Sequence, residues 1–397
     1  MSFQRTVQFF LAALLSAAAT SVSAIELTGV TNAHDPSALV KDGDTYFYFT
    51  TGTGIWYNTS TNLTHWGNSD TVFAPGEYPS WIAEEVPENS GNDFWAPDAI
   101  KMGDYYYVYY SVSTFGSHQS AIGVVRSPSL LNPEWEDLGP VVTSSDEGNY
   151  QTTVNAIDPA LIEDEDGRVY MSYGSWFGGL ALVEIDPATG MRLNPEEDPV
   201  KIFGGGHDSI EAPYIIREGD YYYLYYNYGT CCAGLDSTYE IRVTWSENIE
   251  GPYSADGYTI LENDTGDRYV GPGHIGLLRE GSCEYVTTHY YDRQSDGFPR
   301  VDLLALGYDS SDMPFLTRDF TPGECTDLQP AGSEEPAPED EESGSDEGGT
   351  DDVSSDESAG SDNEGSDTGT SSGSGGGSFG FGLLLLLCLG GFARRKR

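Results

Sequence analysis

The feature that most constrains the fold of this chain is a short passage that returns five times along it. Each copy has an apolar run, a turn that contains glycine, and a second run that contains tyrosine. The turn glycines, which lie 60, 64, 52 and 62 residues apart, are Gly43, Gly103, Gly167, Gly219 and Gly281. Recurrence on this scale is typical of a repeat architecture. We therefore expect one structural unit to occur five times.

Each repeat carries the signals of β-strands rather than of helices. Asp-Gly and Gly-Asp pairs stand between strand-forming runs, which is a hairpin signal, and the runs are rich in aromatic residues. No long stretch with a 3.6-residue period occurs after residue 24. Five such repeats predict an all-β fold, a five-bladed β-propeller. A β-sandwich is the alternative, but it would not explain five matched openings.

The N-terminal residues 1–24 have the pattern of a secretory signal peptide. Arg5 precedes an apolar run, and residues 22–24 (Val-Ser-Ala) form a small-residue cleavage site. An N-terminal membrane helix is the alternative, but the run is short for one. The pattern predicts an exported protein whose main domain, residues 25–330, works outside the cytoplasm.

The C-terminal part of the chain changes composition twice. Residues 331–374 are rich in Ser and Gly and contain fifteen acidic residues but no Lys or Arg, which predicts a disordered linker. Residues 375–397 combine a glycine cluster, an apolar run shorter than the about 20 residues of a bilayer span, and a basic end. This tail resembles the GlyGly-type sorting signals of Gram-negative bacteria, which implies cleavage by a sorting protease and a place at the cell surface or in the medium. A simple transmembrane tail anchor is the alternative.

The charge balance argues against a nucleic acid or an anionic membrane as partner. Without the signal and the acidic tail, 49 Asp and Glu stand against 13 Lys and Arg. Such an excess of negative charge repels polyanions.

Three acidic residues open repeats at corresponding places: Asp35, Asp158 and Glu211. The first strand of each propeller blade lines the central channel, so we expect these acids to converge at one mouth, with His274 from the fifth repeat. An Asp before Pro is usually a turn former, but three aligned acids would repel one another and cost stability without a function. Glycoside hydrolysis needs one protonated and one ionised carboxyl group, and a third carboxylate can raise the pKa of the acid.

An ordered series of motifs covers nearly the whole domain. In chain order the motifs occupy residues 34–36, 94–98, 155–159, 173–179, 211–214, 231–234, 237–239 and 271–274. In this order they resemble glycoside hydrolase family 43, and within it the endo-1,5-α-L-arabinanases. The resemblance implies a five-bladed, inverting enzyme that cuts internal α-1,5-L-arabinofuranosidic bonds of arabinan, a plant cell-wall polysaccharide.

The resemblance also implies roles for the acids. Asp35 would be the general base, Glu211 the general acid, and Asp158 the residue that raises the pKa of the acid and orients it. Inversion implies that Asp35 and Glu211 lie about 6.5–9.5 Å apart. His274 matches a residue that binds calcium mostly through water; a structural histidine is the alternative. The predicted substrate-binding residues are Trp95, Asn155, Ser175, Trp176 and Phe177.

The cysteines leave two questions open. Cys283 and Cys325 could pair in an oxidising compartment. In the resemblance, Cys231 and Cys232 precede a loop of the fourth blade and form either a vicinal disulfide at the rim of the site or a pair of free thiols.

Other functions remain open at this point. Within the family, the alternatives are an exo-acting α-L-arabinofuranosidase and a β-xylosidase, which often carry an added C-terminal β-sandwich; the acidic linker after residue 330 favours an open groove. Outside it, the alternatives are a non-catalytic glycan-binding propeller at the cell surface and a structural display protein. A monomer is the default expectation.

Overall fold

The structure is a computed structural model, and it describes residues 25–89, 93–145, 153–263, 266, 268–326 and 328–330. The predicted signal peptide, the acidic linker and the sorting tail lie outside these residues. Among the residues described, no helix has the length and apolar character needed to cross a bilayer.

The described residues form five mainly antiparallel sheets arranged as the blades of a β-propeller, which confirms the predicted fold class. Blade 1 contains β1 (Thr28–Gly29), β2 (Val40–Asp42), β3 (Thr45–Thr50), β5 (Trp56–Ser60) and β6 (His65–Thr71). Blade 2 contains β4 (Gly52–Thr53), β7 (Asp93–Met102), β8 (Tyr105–Val112), β9 (Ser120–Ser127) and β10 (Glu136–Ser144). The one parallel pairing in these two sheets joins β1 to β6 at the outer edge of blade 1.

Blades 3 to 5 have four strands each. Blade 3 contains β11 (Ala160–Glu163), β12 (Val169–Ser175), β13 (Gly179–Ile185) and β14 (Val200–Phe203). Blade 4 contains β15 (Ile210–Glu218), β16 (Tyr221–Tyr228), β17 (Glu240–Ser246) and β18 (Tyr258–Leu261). Blade 5 contains β19 (Tyr269–Glu280), β20 (Cys283–Asp292), β21 (Phe298–Tyr308) and β22 (Pro314–Thr317). The helical segments of the described chain are short: α1 (Ile82–Glu85), and 3₁₀ turns at Gly234–Asp236 and Arg293–Ser295.

The glycines that revealed the repeat sit in the hairpin turns that join β2 to β3, β7 to β8, β11 to β12, β15 to β16 and β19 to β20. Their φ angles are 61°, 57°, 75°, 56° and 63° in chain order. Glycine adopts this left-handed region without the steric cost that a Cβ atom brings. The spacing of the repeat is thus the spacing of the turns.

The core lies between neighbouring blades rather than inside one sheet. One apolar cluster joins Phe49 of blade 1 to Tyr110 of blade 2, and another joins Tyr109 of blade 2 to Met171 of blade 3. These side chains are fully buried. Because an aromatic side chain covers about 150–250 Å², the tyrosine-rich second strands supply much of the apolar surface between the wedge-shaped blades.

The ring is closed by contacts between the N-terminal segment and blade 5. Val301 donates its backbone N–H to Thr31 O at 2.8 Å, and Asn32 forms a bridge with Arg300. Further in, the Thr287 hydroxyl donates to Ser37 O at 2.7 Å. The first residues of the domain and the last blade therefore hold each other in place.

Asp98 ties three blades together at the centre. Its Oδ1 accepts the N–H of Ala38 at 2.9 Å, and its Oδ2 accepts the N–H of Leu161 at 2.8 Å. The side chain is 2% exposed. Burial raises the pKa of Asp98 to about 7, against the lowering effect of these two bonds. Asp98 thus has a structural role, beside the site but outside its reacting groups.

Candidate active site

One backbone feature marks the opening of every blade. A residue other than glycine adopts a positive φ there, and the five residues are Asp35 (50°), Ala96 (40°), Asp158 (59°), Ala212 (52°) and His274 (54°). Left-handed backbone costs an L-residue roughly 1–2 kcal/mol. A cost repeated in every blade shows that the conformation belongs to the architecture of the central channel.

The prediction that three acids share one position is correct for Asp35 and Asp158 and wrong for Glu211. Ala212 occupies the shared position in blade 4, and Glu211 precedes it, in line with His34 of blade 1 and Trp95 of blade 2. The register between β15 and β16 shifts between Glu211 and Tyr214. Such a bulge redirects a side chain, which lets Glu211 approach the channel from a different point on the backbone.

Asp35 is held by polar groups from three sides. The Thr51 hydroxyl donates to Oδ2 at 2.6 Å, and His34 Nδ1 lies 2.7 Å from the same oxygen. His289 Nδ1 lies 3.4 Å from Oδ1 and accepts the backbone N–H of Asp35 at 3.1 Å. Burial alone would raise the pKa of Asp35, but the charge and hydrogen bond of His34, with help from His289, bring it well below the usual range. Asp35 is therefore an ionised carboxylate.

Asp158 lies near other carboxyl groups and accepts a hydrogen bond from one backbone N–H. Its Oδ2 accepts the N–H of Ala212 at 3.2 Å, and its own N–H donates to the Ser111 hydroxyl at 2.9 Å. Burial raises the pKa of Asp158 well above its usual value, and the charges of Glu211 and Asp35 raise it further.

Glu211 also favours its protonated form. Burial is the main cause that brings its pKa to about 7, and the charge of Asp35 adds to it. The Tyr239 hydroxyl donates to Oε1 at 2.8 Å and opposes the rise. Asp158 and Glu211 act on each other, so the pair retains a proton near neutral pH. The site thus combines one ionised carboxylate with a proton-bearing pair.

His274 lies in the same channel. It is 4% exposed, and its backbone N–H donates to Asn227 Oδ1 at 2.8 Å. Burial lowers the pKa of His274, although the charge of Asp35 partly offsets this. The ring is therefore neutral and keeps a lone pair with which it can bind a cation.

A second set of possible metal ligands was not predicted. His34, Asp35 and His289 bring their ligand atoms within 4.8 Å of one another. Two imidazoles and one carboxylate suit transition metals better than calcium, which prefers oxygen. His289 is fully buried and stacks on His34 with ring centroids 4.1 Å apart. Its Nε2 has no hydrogen-bond partner in the part of the chain that the structure describes.

The predicted substrate-binding residues fall into two groups. Asn155 and Ser175 are both 2% exposed, and the Asn155 amide donates to the Ser175 hydroxyl at 3.0 Å, so they brace the opening of blade 3. Trp95, Trp176 and Phe177 are half-buried. The ring of His207 contacts the last two, with centroid distances of 5.7 and 4.8 Å. Flat aromatic faces of this kind suit a sugar ring, and contact between any of the five residues and substrate stays a prediction.

Both cysteine pairs form disulfides. Cys283 pairs with Cys325 and joins β20 to the segment after β22. The adjacent Cys231 and Cys232 are also bonded, so the vicinal disulfide replaces the alternative of free thiols.

Comparisons with known proteins agree with this geometry. The profile of the family described as "Glycosyl hydrolases family 43" matches residues 29–305. The chain is 35% identical over 305 residues to an extracellular exo-α-(1→5)-L-arabinofuranosidase of Cellvibrio japonicus, covering 71% of this chain and 85% of that protein. It is 33% identical over 288 residues to an extracellular endo-α-(1→5)-L-arabinanase of Bacillus subtilis, covering 70% and 85%.

A solved structure shows the same arrangement of blades. The Cellvibrio cellulosa α-L-arabinanase complexed with arabinohexaose has a TM-score of 0.64 and 33% identity, over 72% of this chain and 95% of that one. Relatives with exo and endo names match at similar identity, so the degree of similarity does not separate the two modes of cleavage.

Proposed function

This chain belongs to glycoside hydrolase family 43 and is related to its arabinanases, and on that premise we propose that it is an extracellular, inverting endo-1,5-α-L-arabinanase. The observation that carries the proposal is the difference in protonation state among its carboxyl groups. Asp35 is ionised, whereas Glu211 has a pKa of about 7 and shares a proton with Asp158. An acid and a base in one channel are what inverting glycoside hydrolysis requires.

The reaction follows from these charge states. Asp35 takes a proton from a water molecule as the oxygen of that water attacks the anomeric carbon of the arabinofuranose. Glu211 gives its proton to the departing glycosidic oxygen. Because water attacks from the face opposite the leaving group, the configuration inverts in one step. Asp158 shares one proton with Glu211, and when Glu211 carries that proton the charge left on Asp158 disfavours its loss to solvent.

A non-catalytic glycan-binding propeller is the alternative from another class. A site that only binds a glycan gains nothing from an ionised base beside a protonated acid, since burying these carboxyl groups costs free energy. The charge states therefore favour an enzyme over a binder or a structural display protein.

Endo cleavage is proposed over exo cleavage on the names of the relatives. Relatives from Bacillus subtilis, Thermotoga petrophila and Aspergillus flavus are named as endo-acting. One relative from Cellvibrio japonicus and one structure from a bovine ruminal metagenomic library are named as exo-acting. Exo cleavage is therefore the second candidate within the family.

Calcium is the proposed cofactor, with His274 as the ligand from the chain. The neutral buried ring and the nearby charge of Asp35 fit a cation. A single imidazole suits calcium only when water supplies most of its oxygen ligands. When bound, the ion would supply a fixed positive charge in the channel. A melting temperature that falls with chelator and recovers with calcium, and a His274→Ala variant without this response, would support the site.

Export and surface sorting complete the proposal. Two relatives are named as extracellular, and the sequence carries the pattern of a signal peptide and of a GlyGly-type tail. We infer a Gram-negative host, a sorting protease that cleaves the tail, and a monomeric enzyme. Intact-mass analysis of protein from cells and medium tests the cleavage, and sedimentation tests the oligomeric state.

The deciding experiment is digestion of debranched linear arabinan by the purified protein, with products separated by size over time. A spread of oligosaccharides at early times is expected for endo cleavage, whereas one short product from the start would assign exo cleavage. Proton NMR of the new reducing ends should show inverted configuration. A Glu211→Gln variant that still binds arabinan but releases no product would separate enzyme from binder. Absence of hydrolysis by the unaltered protein, with activity on xylosides instead, would overturn the substrate.

A further inference from the structure

The loop between β16 and β17 touches both sides of the active site. This segment, residues 229–238, is called the disulfide loop here because it carries the Cys231–Cys232 bond. Its ends are fixed in blade 4: Gly229 donates its N–H to Ser209 O at 3.0 Å, and Thr238 donates to Thr230 O at 3.0 Å.

On one side, the disulfide loop reaches the general base through a chain of contacts. The backbone N–H of Cys232 donates to the Tyr291 hydroxyl at 2.7 Å. That hydroxyl lies 2.7 Å from His34 Nε2, and Cys232 Sγ lies 4.0 Å from the same nitrogen. The other ring nitrogen of His34 lies 2.7 Å from Asp35 Oδ2. The orientation of His34, and through it that of Asp35, depends on the position of the Cys232 amide.

On the other side, the disulfide loop leads directly into Tyr239. The hydroxyl of this residue donates to Glu211 at 2.8 Å. One short segment of blade 4 therefore contacts neighbours of the base and the acid at once. In an inverting enzyme the gap between these two groups must admit one water molecule, so a rigid segment that is linked to both through their neighbours can influence that gap.

The backbone at Cys232 explains why two bonded cysteines occur here. Its φ is 64°, in the left-handed region that residues with a Cβ atom disfavour. The direction of the Cys232 N–H depends on the backbone angles around it. A bond between adjacent cysteine sulfurs closes a ring that contains the peptide bond between them, and this removes much of the freedom of both residues. Without the ring, the backbone could relax and turn the amide away from Tyr291.

We propose that the Cys231–Cys232 disulfide is a positioning device for the general base. It holds the Cys232 amide on Tyr291, which fixes His34 against Asp35. The inference rests on the proposed function, since it assigns a task within the same acid–base reaction. The two cysteines are positioning residues, because they act through Tyr291 and His34.

The disulfide is also the one of the two described bonds that a reductant can reach. Cys232 is exposed and Cys231 is half-buried, whereas Cys283 and Cys325 are buried. A dithiol would transfer two electrons and two protons to the exposed bond, giving two cysteine thiols and a cyclic disulfide of the reagent. We expect this reduction of the folded enzyme to lower kcat and reoxidation to restore it.

Two double variants separate the ring from the sulfur atoms. Cys231→Ser/Cys232→Ser opens the ring and keeps a side chain that disfavours positive φ, so we expect kcat on linear arabinan to fall about tenfold, because misplaced catalytic groups lose rate steeply. KM should change far less. Cys231→Ala/Cys232→Gly also lacks the bond, but glycine accepts this φ without strain. Because glycine is also free to leave this conformation, the variant should recover only part of the lost kcat.

The possible results decide the proposal. Unchanged kcat in the Ser/Ser variant overturns it. An equal loss of kcat in both double variants also overturns it. So does a rise in KM at constant kcat, which would mark a substrate contact. If the Ser/Ser variant does not fold, reduction of the native enzyme and Tyr291→Phe, which removes the hydroxyl and keeps the ring, give the same test, with the melting temperature measured alongside. Activity of the unaltered enzyme is the separate test of the proposed function.

Discussion

Asp35 and Asp158 are the same residue type at equivalent positions, yet they differ in protonation state: Asp35 is ionised, whereas Asp158 favours its neutral form. Both open a blade, both precede a proline, and their φ angles are 50° and 59°. Burial pushes both pKa values upward. What differs is the neighbourhood: Asp35 faces His34 and His289, whereas Asp158 faces other carboxylates and a single N–H group.

The difference shows how a repeat protein builds an asymmetric site. The repeat supplies equivalent backbone positions around a channel, which brings side chains together without deciding their chemistry. Residues that differ from blade to blade, such as His34, then set the protonation state, because at Asp35 the nearby opposite charge outweighs desolvation. The comparison between the two aspartates can be tested by removing each, and then by changing their neighbours.

The largest effect should come from exchanging the two carboxyl groups for amides one at a time. Asp35→Asn removes the base, and we expect kcat to fall about 10²–10⁴-fold, the usual contribution of a general base. Asp158→Asn should cost only about tenfold, roughly 1.4 kcal/mol in the barrier, because a neutral amide can still accept the Ala212 N–H. Steady-state kinetics on linear arabinan measure both; equal losses would contradict the difference in roles.

The next effect concerns the partner that lowers the pKa of Asp35. His34→Asn removes the positive charge beside the carboxylate, so the pKa of Asp35 should rise. The acid limb of kcat/KM against pH then moves to higher pH, because the base becomes protonated sooner on acidification. At pH values below the pKa of Asp35, where kcat/KM falls about tenfold for each pH unit, we expect kcat/KM of the variant to be about tenfold lower than that of the unaltered enzyme. At higher pH we expect little difference between them. The exposed His65 offers a matched control, since His65→Asn should leave the limb in place.

A smaller effect is expected from the hydroxyl that contacts Glu211. Tyr239→Phe removes a hydrogen bond that lowers the pKa of Glu211, which is about 7. That pKa should rise, and the basic limb of the pH profile should move to higher pH, because the acid keeps its proton longer. Tyr253→Phe, which removes a hydroxyl bonded to Ile249 O in the same blade, should leave both limbs unchanged. A basic limb that moves down after Tyr239→Phe would contradict the account.

The smallest effect on catalysis should follow loss of the second disulfide. Cys283 and Cys325 are 42 residues apart, and a loop of that length corresponds to about 4 kcal/mol of stability in the chain-entropy account. Cys283→Ser/Cys325→Ser should therefore lower the free energy of unfolding by that order, as measured by denaturant titration. Both limbs of the pH profile should stay in place. A shifted limb would mean that the charge states of the acids depend on more than their immediate neighbours.

The fold could be predicted from the sequence because the residue patterns that indicate hairpins are local. A hairpin turn needs particular residues at particular positions, and all five turn glycines have the expected positive φ. The position of Glu211 was misjudged by one residue, although aligning Pro213 with Pro36 already places Ala212, and not Glu211, opposite Asp35. The register shift between Glu211 and Tyr214, by contrast, depends on the pairing of two strands, which a pattern along one strand does not contain.

Site residues could be predicted from the sequence where they belong to the repeat. Asp35, Asp158 and His274 occupy equivalent openings, and the repeat brought them to notice. His289 and Tyr291 lie on the second strand of blade 5, and the pairing of His289 with Gly273 carries its ring to the channel. No sequence motif indicates that His289 and Tyr291 belong to the site. His34, in contrast, stands directly before Asp35 and could have been noticed as its neighbour.

The closed ring has a consequence for when the enzyme becomes active. His289 comes from the last blade, while Asp35 comes from the first, and 254 residues separate them in the chain. In a chain that emerges from a ribosome or a secretion channel, Asp35 appears long before His289, which contacts it and lowers its pKa. Four finished blades would leave Asp35 without His289 and the first segment without Val301. Catalysis therefore begins only with the arrival of blade 5, so the order of synthesis itself delays activity until the domain is complete.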